Sequence, residues 1–127
     1  MLRLLPLCVL LLPSVGVAQS TWYVPDDFST IQAGIDGSAN GDTVIVRDGT
    51  YVENIDFNGK AITLQSENGP ATTIVDGNQA GSVVKFSSGE GSNSVFEGFT
   101  VTNGSATYGG GAYLENANAN FSNVLVI

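Results

Sequence analysis

The feature that most constrains this chain is that it repeats itself. Phe96-Glu97-Gly98-Phe99-Thr100-Val101 aligns with Phe121-Ser122-Asn123-Val124-Leu125-Val126 at an offset of 25 residues. The short stretch ahead of each also matches, VVKF (83–86) with GAYL (111–114), at an offset of 28. TVIV (43–46) and AITL (61–64) look like an earlier version of the same unit. A strand of four or five residues cannot hide its apolar face alone, but it can when stacked on copies of itself. Short strands recurring every roughly 20 to 50 residues, with no helices between them, therefore predict a β-solenoid. Coils about 4.8 Å apart would align the recurring Val, Ile and Phe positions into inward ladders. A β-sandwich of Greek-key hairpins would also give short strands and Asn-Gly or Asp-Gly turns. The self-match favours the solenoid.

Composition supports an all-β chain. Beyond residue 18 it is rich in Gly, Asn, Ser, Thr and Val and poor in Leu, Lys and Glu, which disfavours helices and favours strands and tight turns. Residues 1–18 are read apart from the domain. Met1-Leu2-Arg3 is a short positive start, Leu4–Leu12 is an apolar run broken by Pro6, and Gly16 and Ala18 are small. That is the pattern of a secretory signal cleaved between Ala18 and Gln19, and the run is too short for the roughly 20 residues of a membrane span. The single cysteine, Cys8, lies inside it and follows Leu7 rather than the small residue a lipoprotein signal requires. The mature chain, 19–127, is thus expected to be exported and stable without disulfides. Arg47, Lys60 and Lys85 then face twelve carboxylates, a net charge of −9. Such a surface excludes nucleic acid and anionic membrane as partners. With no histidine, triads built on imidazole and imidazole metal sites are excluded too.

Along the chain, Thr21–Val24 is a strand candidate ended by Pro25. One helix is expected next, with Ser29 as its cap, Gln32 completing a capping box, and Asp26 and Asp27 favouring its start. Phe28, Ile31 and Ile35 fall on its buried face. From Gly41 the period becomes two: Val44 and Val46 face inward, opposite Thr43, Ile45 and Arg47. Ile55 and Phe57, Ile62 and Leu64, and Val84 and Phe86 continue the inward set, with turns at Asp48-Gly49, Asn58-Gly59, Asn68-Gly69-Pro70 and Asp76-Gly77-Asn78. In the repeat, Phe96, Phe99 and Val101 point inward and Glu97, Thr100 and Thr102 outward. Asn103 is expected to add side-chain hydrogen bonds along the stack. An open solenoid end is an exposed sheet edge, so the helix is assigned to cover the first coil. Because the chain stops at Ile127 inside an apolar strand, residues 19–127 are read as the cap and first coils of a longer, C-terminally truncated domain.

The series STIQAGIDGSANGDTVIVRDGTYVENIDFNGKAITLQS (29–66) resembles the opening of right-handed parallel β-helix proteins of the pectin-lyase-like superfamily. There a capping helix is followed by Gly-Asp-Thr-Val, Gly-Thr-Tyr and a Glu, as at 41–44, 49–51 and 53 here. GGGAY (109–113) with Phe121-Ser122-Asn123 is similar to the GGA and FxxN repeats of polymorphic outer-membrane and autotransporter-type passengers. The resemblance implies a right-handed parallel β-helix with a short N-terminal capping helix. It leaves function open, because the superfamily holds lyases, hydrolases, esterases and adhesins on one fold. Calcium, acidic ligand clusters and an Arg or Lys base belong to its enzymes, and enter here only as what that resemblance implies.

Against those chemistries the residues offer little. Asp48, Glu53 and Asp56 are close in sequence, but turn and strand-flank positions read as solvated carboxylates rather than a calcium site. Asp76 is a turn residue. Arg47 and Lys85 point away from the ladder, with no acidic pair matched to either. Tyr108 and Tyr113 flank a triple glycine and would cover the solenoid's side or stack on a sugar ring. Gly109-Gly110-Gly111 lacks the Lys-Ser/Thr and helix of a phosphate loop and reads as a coil corner. No catalytic, cofactor or metal residue is therefore assigned. The expectation is an exported, non-catalytic, adhesin-like β-helix whose partner is a polysaccharide or a cell-surface ligand. The alternative is the N-terminal part of a polysaccharide lyase or esterase with its site beyond residue 127.

Overall fold

A computed structural model describes residues 18–127. The leader assigned to 1–18 falls outside these residues except for Ala18. The described chain is a parallel β-solenoid of about four turns with one short helix. The first coil holds β1 (Thr21–Val24) and α1 (Ile31–Gly37). The second holds β2 (Thr43–Val46), β3 (Gly49–Val52) and β4 (Ile55–Asp56), and the third β5 (Thr63–Ser66), β6 (Thr73–Asp76) and β7 (Val84–Phe86). In the fourth are β8 (Val95–Glu97), β9 (Thr100–Thr102) and β10 (Ala112–Leu114), and β11 (Asn120–Ser122) and β12 (Leu125–Val126) begin a fifth. Strands stack into three parallel sheets, β1-β2-β5-β8-β11, β3-β6-β9-β12 and β4-β7-β10.

The two repeat offsets are the registers of the structure. Phe96 lies beside Phe121 and Val101 beside Val126, while Val84 lies beside Ala112 and Phe86 beside Leu114. The earlier match is displaced. TVIV pairs with TLQS, Val44 beside Leu64, two residues beyond the alignment with AITL. A two-residue slip preserves the inward face because strand side chains alternate with period two, so letter matching could not detect it.

Inward positions are as the alternation predicts. Val44, Val46, Leu64, Val84, Phe86, Phe96 and Phe99 have no exposed surface. Phe57 and Phe86 pack at a tilt with centroids 4.4 Å apart, and Phe121 closes edge-on over Phe86 at 5.2 Å and Phe96 at 5.8 Å. Phe96 and Phe99 stack at 4.6 Å. Aromatic pairs in this geometry add about 0.5–1.5 kcal/mol each beyond burial. Thr100, expected outward, is buried, because the loop at 68–72 covers it and its hydroxyl donates to the Pro70 carbonyl at 2.7 Å. Thr73 takes an inward position with its hydroxyl unpartnered.

Corners are made by residues that accept positive φ. Gly98 (φ 84°) and Asn123 (φ 52°) occupy the same turn in successive coils, between β8 and β9 and between β11 and β12. A Cβ at Gly98 would overlap the Ser66 hydroxyl, so only glycine fits there. Gly109–Gly111 lie in the corner loop from β9 to β10, where Val83 and Val84 N–H groups donate to the Gly110 and Gly111 carbonyls. Gly49, expected in a turn, instead opens β3. Asn103 (φ 56°) donates from Nδ2 to Asp76 Oδ1 on the preceding coil at 3.0 Å, as expected of a stack-bridging turn residue.

Candidate functional site

Glu53, from the second coil, closes the helix above it. Its Oε2 accepts the Ile31 N–H at 2.9 Å and its Oε1 the Gln32 N–H at 3.0 Å. The N-cap is Thr30, whose Oγ1 accepts the Ala33 N–H, and not Ser29. No acidic residue lies in the first turn; the negative charge that favours a helix N-terminus arrives from Glu53 across the coil. Gln32 makes no capping box. Its Nε2 donates to the Asp56 carbonyl and its Oε1 accepts the Asp56 N–H, imitating a further strand on the open edge of β4. At the other end of α1, Lys60 Nζ donates to the carbonyls of Ile35 (2.8 Å), Asp36 (3.0 Å) and Ser38 (2.6 Å). These are orphan carbonyls of a helix C-terminus, where a cation is stabilising.

Other charges are committed in the same way. Arg47 donates from Nε to Asp26 on the first coil and from Nη1 to Glu67 on the third, both at 2.8 Å, and lies 4.4 Å over the Tyr23 ring. The hydrogen bond from Arg47 holds the Asp26 carboxyl below its ordinary range. Asp42 is buried and accepts from Ala39 N, Ser20 N and Trp22 Nε1, bonds that depress its pKa in that order. Asp48 accepts from Asn68 Nδ2, and Asp76 from Asn78 N and Asn103 Nδ2. Glu90 is buried, with its oxygens accepting from Gly59 N and Ser88 N. The Asp56 Oδ1 accepts the Asn58 N–H at 2.9 Å, so Asp48, Glu53 and Asp56 serve three different tasks, and among the described residues no three His, Cys, Asp or Glu side chains come together as metal ligands.

One grouping is new. Asp56, Lys85 and Tyr113 are register partners on β4, β7 and β10, so their side chains form one column on the outer face of that sheet. Lys85 is exposed, Asp56 and Tyr113 half-buried. The Glu115 carboxylate beside Tyr113 raises the pKa of its phenol. A concavity of about 170 Å³ adjoins the column, lined by Asn54, Ile55, Asp56, Ala80, Gly81, Ser82 and Lys85. Tyr108, 77% exposed, stands on the loop that connects β9 to β10. A larger concavity of about 550 Å³ lies where the chain enters the β2-β5-β8 sheet, near Asn40, Thr43, Thr63 and Asn93. Its one carboxylate, Asp42, is saturated by the three bonds above, so the smaller groove is the better site for a charged ligand. An ammonium flanked by a carboxylate and a tyrosine can bind a polyhydroxylated or acidic chain through ionic, hydrogen-bonding and stacking contacts. The sequence signal was available. The offset of 28 that aligns VVKF with GAYL also aligns Lys85 with Tyr113.

No helix among the described residues is long and apolar enough to cross a membrane. Comparison with family models, with curated proteins and with solved structures finds no match.

Proposed function

We propose that this chain forms part of an exported, non-catalytic β-helical scaffold that displays an acidic surface to a polysaccharide or cell-surface ligand. One observation carries the reading. Most of the side chains with catalytic potential, Arg47, Lys60, Glu53, Asp42, Asp76 and Glu90, already hold coil to coil or helix to coil. Lys85 and Tyr113 remain on an outer face, which suits contact rather than turnover. The pectin-lyase-like and passenger-like features at 29–66 and 109–123 support export and surface display by resemblance.

A second reading has its own support. The column of Asp56, Lys85 and Tyr113 would be one end of a longer groove in a polysaccharide-acting enzyme, with the reacting groups on coils beyond residue 127. One experiment separates the two. The full-length protein, including any coils that follow residue 127, is titrated with oligogalacturonate, and the mixture with calcium is assayed for unsaturated products. Under the scaffold reading, binding is weakened about tenfold or more by Lys85→Ala with Tyr113→Ala, as expected for losing a charge-assisted bond, and no product forms. Turnover would overturn the non-catalytic assignment. Binding insensitive to both substitutions would remove this face from either reading.

A further inference from the structure

We propose that Asn103-Gly104 is a site of spontaneous deamidation, and that its conversion loosens the corner loop beside the Asp56, Lys85 and Tyr113 face. The sequence contains four Asn-Gly pairs, at 40–41, 58–59, 68–69 and 103–104. In such a pair the glycine backbone nitrogen, once it loses its proton to hydroxide, attacks Cγ of the asparagine. The new N–C bond closes a succinimide, the Cγ–Nδ2 bond breaks and ammonia leaves. Water then opens either imide bond to give aspartate or isoaspartate. The reaction is redox-neutral, and solvent supplies every co-reactant. It is fastest before glycine because no side chain obstructs the attack.

The structure treats the four pairs differently. Gly41 N–H donates to the Ala61 carbonyl at 2.9 Å, Gly59 N–H to the buried Glu90 carboxylate at 2.9 Å, and Gly69 N–H to Ser66 Oγ at 3.0 Å. Each of these protons is held by an acceptor, and at Gly59 the acceptor carries negative charge, which opposes forming a nitrogen anion beside it. Among the described residues Gly104 N–H has no acceptor, and both Asn103 and Gly104 are exposed. Only this pair combines a free nucleophile with access for hydroxide and water.

The consequence follows from what Asn103 holds. Its Nδ2 donates to Asp76 Oδ1 on the third coil, and its carbonyl accepts the Gln79 N–H at 2.8 Å. Conversion to aspartate replaces that donor with a carboxylate facing another carboxylate, so an attraction becomes a repulsion. Conversion to isoaspartate also lengthens the backbone by one carbon and moves the carbonyl that accepts the Gln79 N–H off the main chain into a free carboxylate, just ahead of the Ser105 N–H bond to the Gly81 carbonyl. Both bonds tie the fourth coil to the loop of the third that lines the groove.

The test is to hold the folded protein in warm, mildly alkaline buffer and follow amide-to-acid conversion at all four asparagines by peptide mapping. Asn103 is expected to convert about ten times faster than the others, the factor one intramolecular hydrogen bond is worth. In denaturant the four rates should converge. Ser66→Ala, which frees the Gly69 N–H, should raise conversion at Asn68 alone; a rise at all four sites would report unfolding instead. Asn103→Asp should speed amide exchange at Gln79 and Ser105 without affecting α1. Equal rates in the folded protein, or another pair leading, overturns the assignment. Unchanged exchange in Asn103→Asp overturns the loosening.

Discussion

The two ends of the described solenoid are held by different physics. At the start, β1 pairs with β2 and Val24, Ile31 and Ile35 are buried, but α1 and its flanks are in addition clamped to the next coils by Glu53, Lys60, Gln32, Asp42 and Arg47 through polar or ionic bonds. From Val95 onward, coils are joined by ladder hydrogen bonds, the Phe86, Phe96, Phe99 and Phe121 cluster and turn residues such as Asn103. A coil lying on a like coil is held chiefly by its backbone and its apolar ladder, since every strand meets a strand. A helix on a coil brings unpaired N–H groups at one end and carbonyls at the other, and each requires a side chain. Most of the charged clamps therefore gather where the repeat is interrupted, while Arg47–Glu67 and Glu90 carry a few into the following coils.

That contrast can be broken by substitution. Phe86→Ala, in the middle of the stack, should cost about 3–5 kcal/mol in chemical denaturation and weaken the coils as a unit. Lys60→Met should cost less, about 2 kcal/mol for charged hydrogen bonds lost, and act locally. Amide exchange at Gly34 and Ser38, which close α1, should accelerate while that at Asn118 and Asn120 does not. Equal acceleration at both ends would mean that the clamp is not confined to the cap.

Acid should act on the same end. The Asp42 carboxyl is held below its ordinary value of 3.8 by bonds from Ala39, Ser20 and Trp22. Its unfolded-state pKa is the higher, so its contribution is complete above that value and lost as pH falls through the folded one. Stability should therefore decline with acid below about pH 4, and Asp42→Asn should flatten that decline while lowering stability at neutral pH. A full slope in Asp42→Asn would assign the acid sensitivity elsewhere. Smallest, and of opposite sign, is Thr73→Val. Removing a buried, unpartnered hydroxyl while preserving shape should stabilise by about 1 kcal/mol, measured by thermal unfolding. A loss would mean that the hydroxyl is satisfied in solution.

Much of the architecture was legible because local chemistry writes it. Alternation gives the inward set, and Asn and Gly mark corners where φ turns positive. The candidate face was legible only in part. Lys85 and Tyr113 share a repeat offset, but Asp56 pairs with Lys85 at a separation of 29 residues, which no letter match reveals. Register offsets vary from 20 between β2 and β5 to 32 between β5 and β8, because loops of different length enter at different corners. For the same reason local rules point to Ser29 as the cap and to Asp26 and Asp27 as its favouring charges, where the structure uses Thr30 and Glu53. Helix-capping rules look a few residues ahead, whereas Glu53 acts from 22 residues away.

By itself, then, the sequence determined that this chain winds into stacked short strands with Val, Ile and Phe inside and a helix at one end. Those facts depend on side-chain periodicity and backbone preference, which act over a handful of residues. Only the tertiary structure decided which polar groups meet. Glu53 and Lys60 found the two ends of one helix, Arg47 two carboxylates on neighbouring coils, and Asp56, Lys85 and Tyr113 one column. Each such meeting depends on the summed lengths of the intervening loops, and loop length is under no periodic constraint.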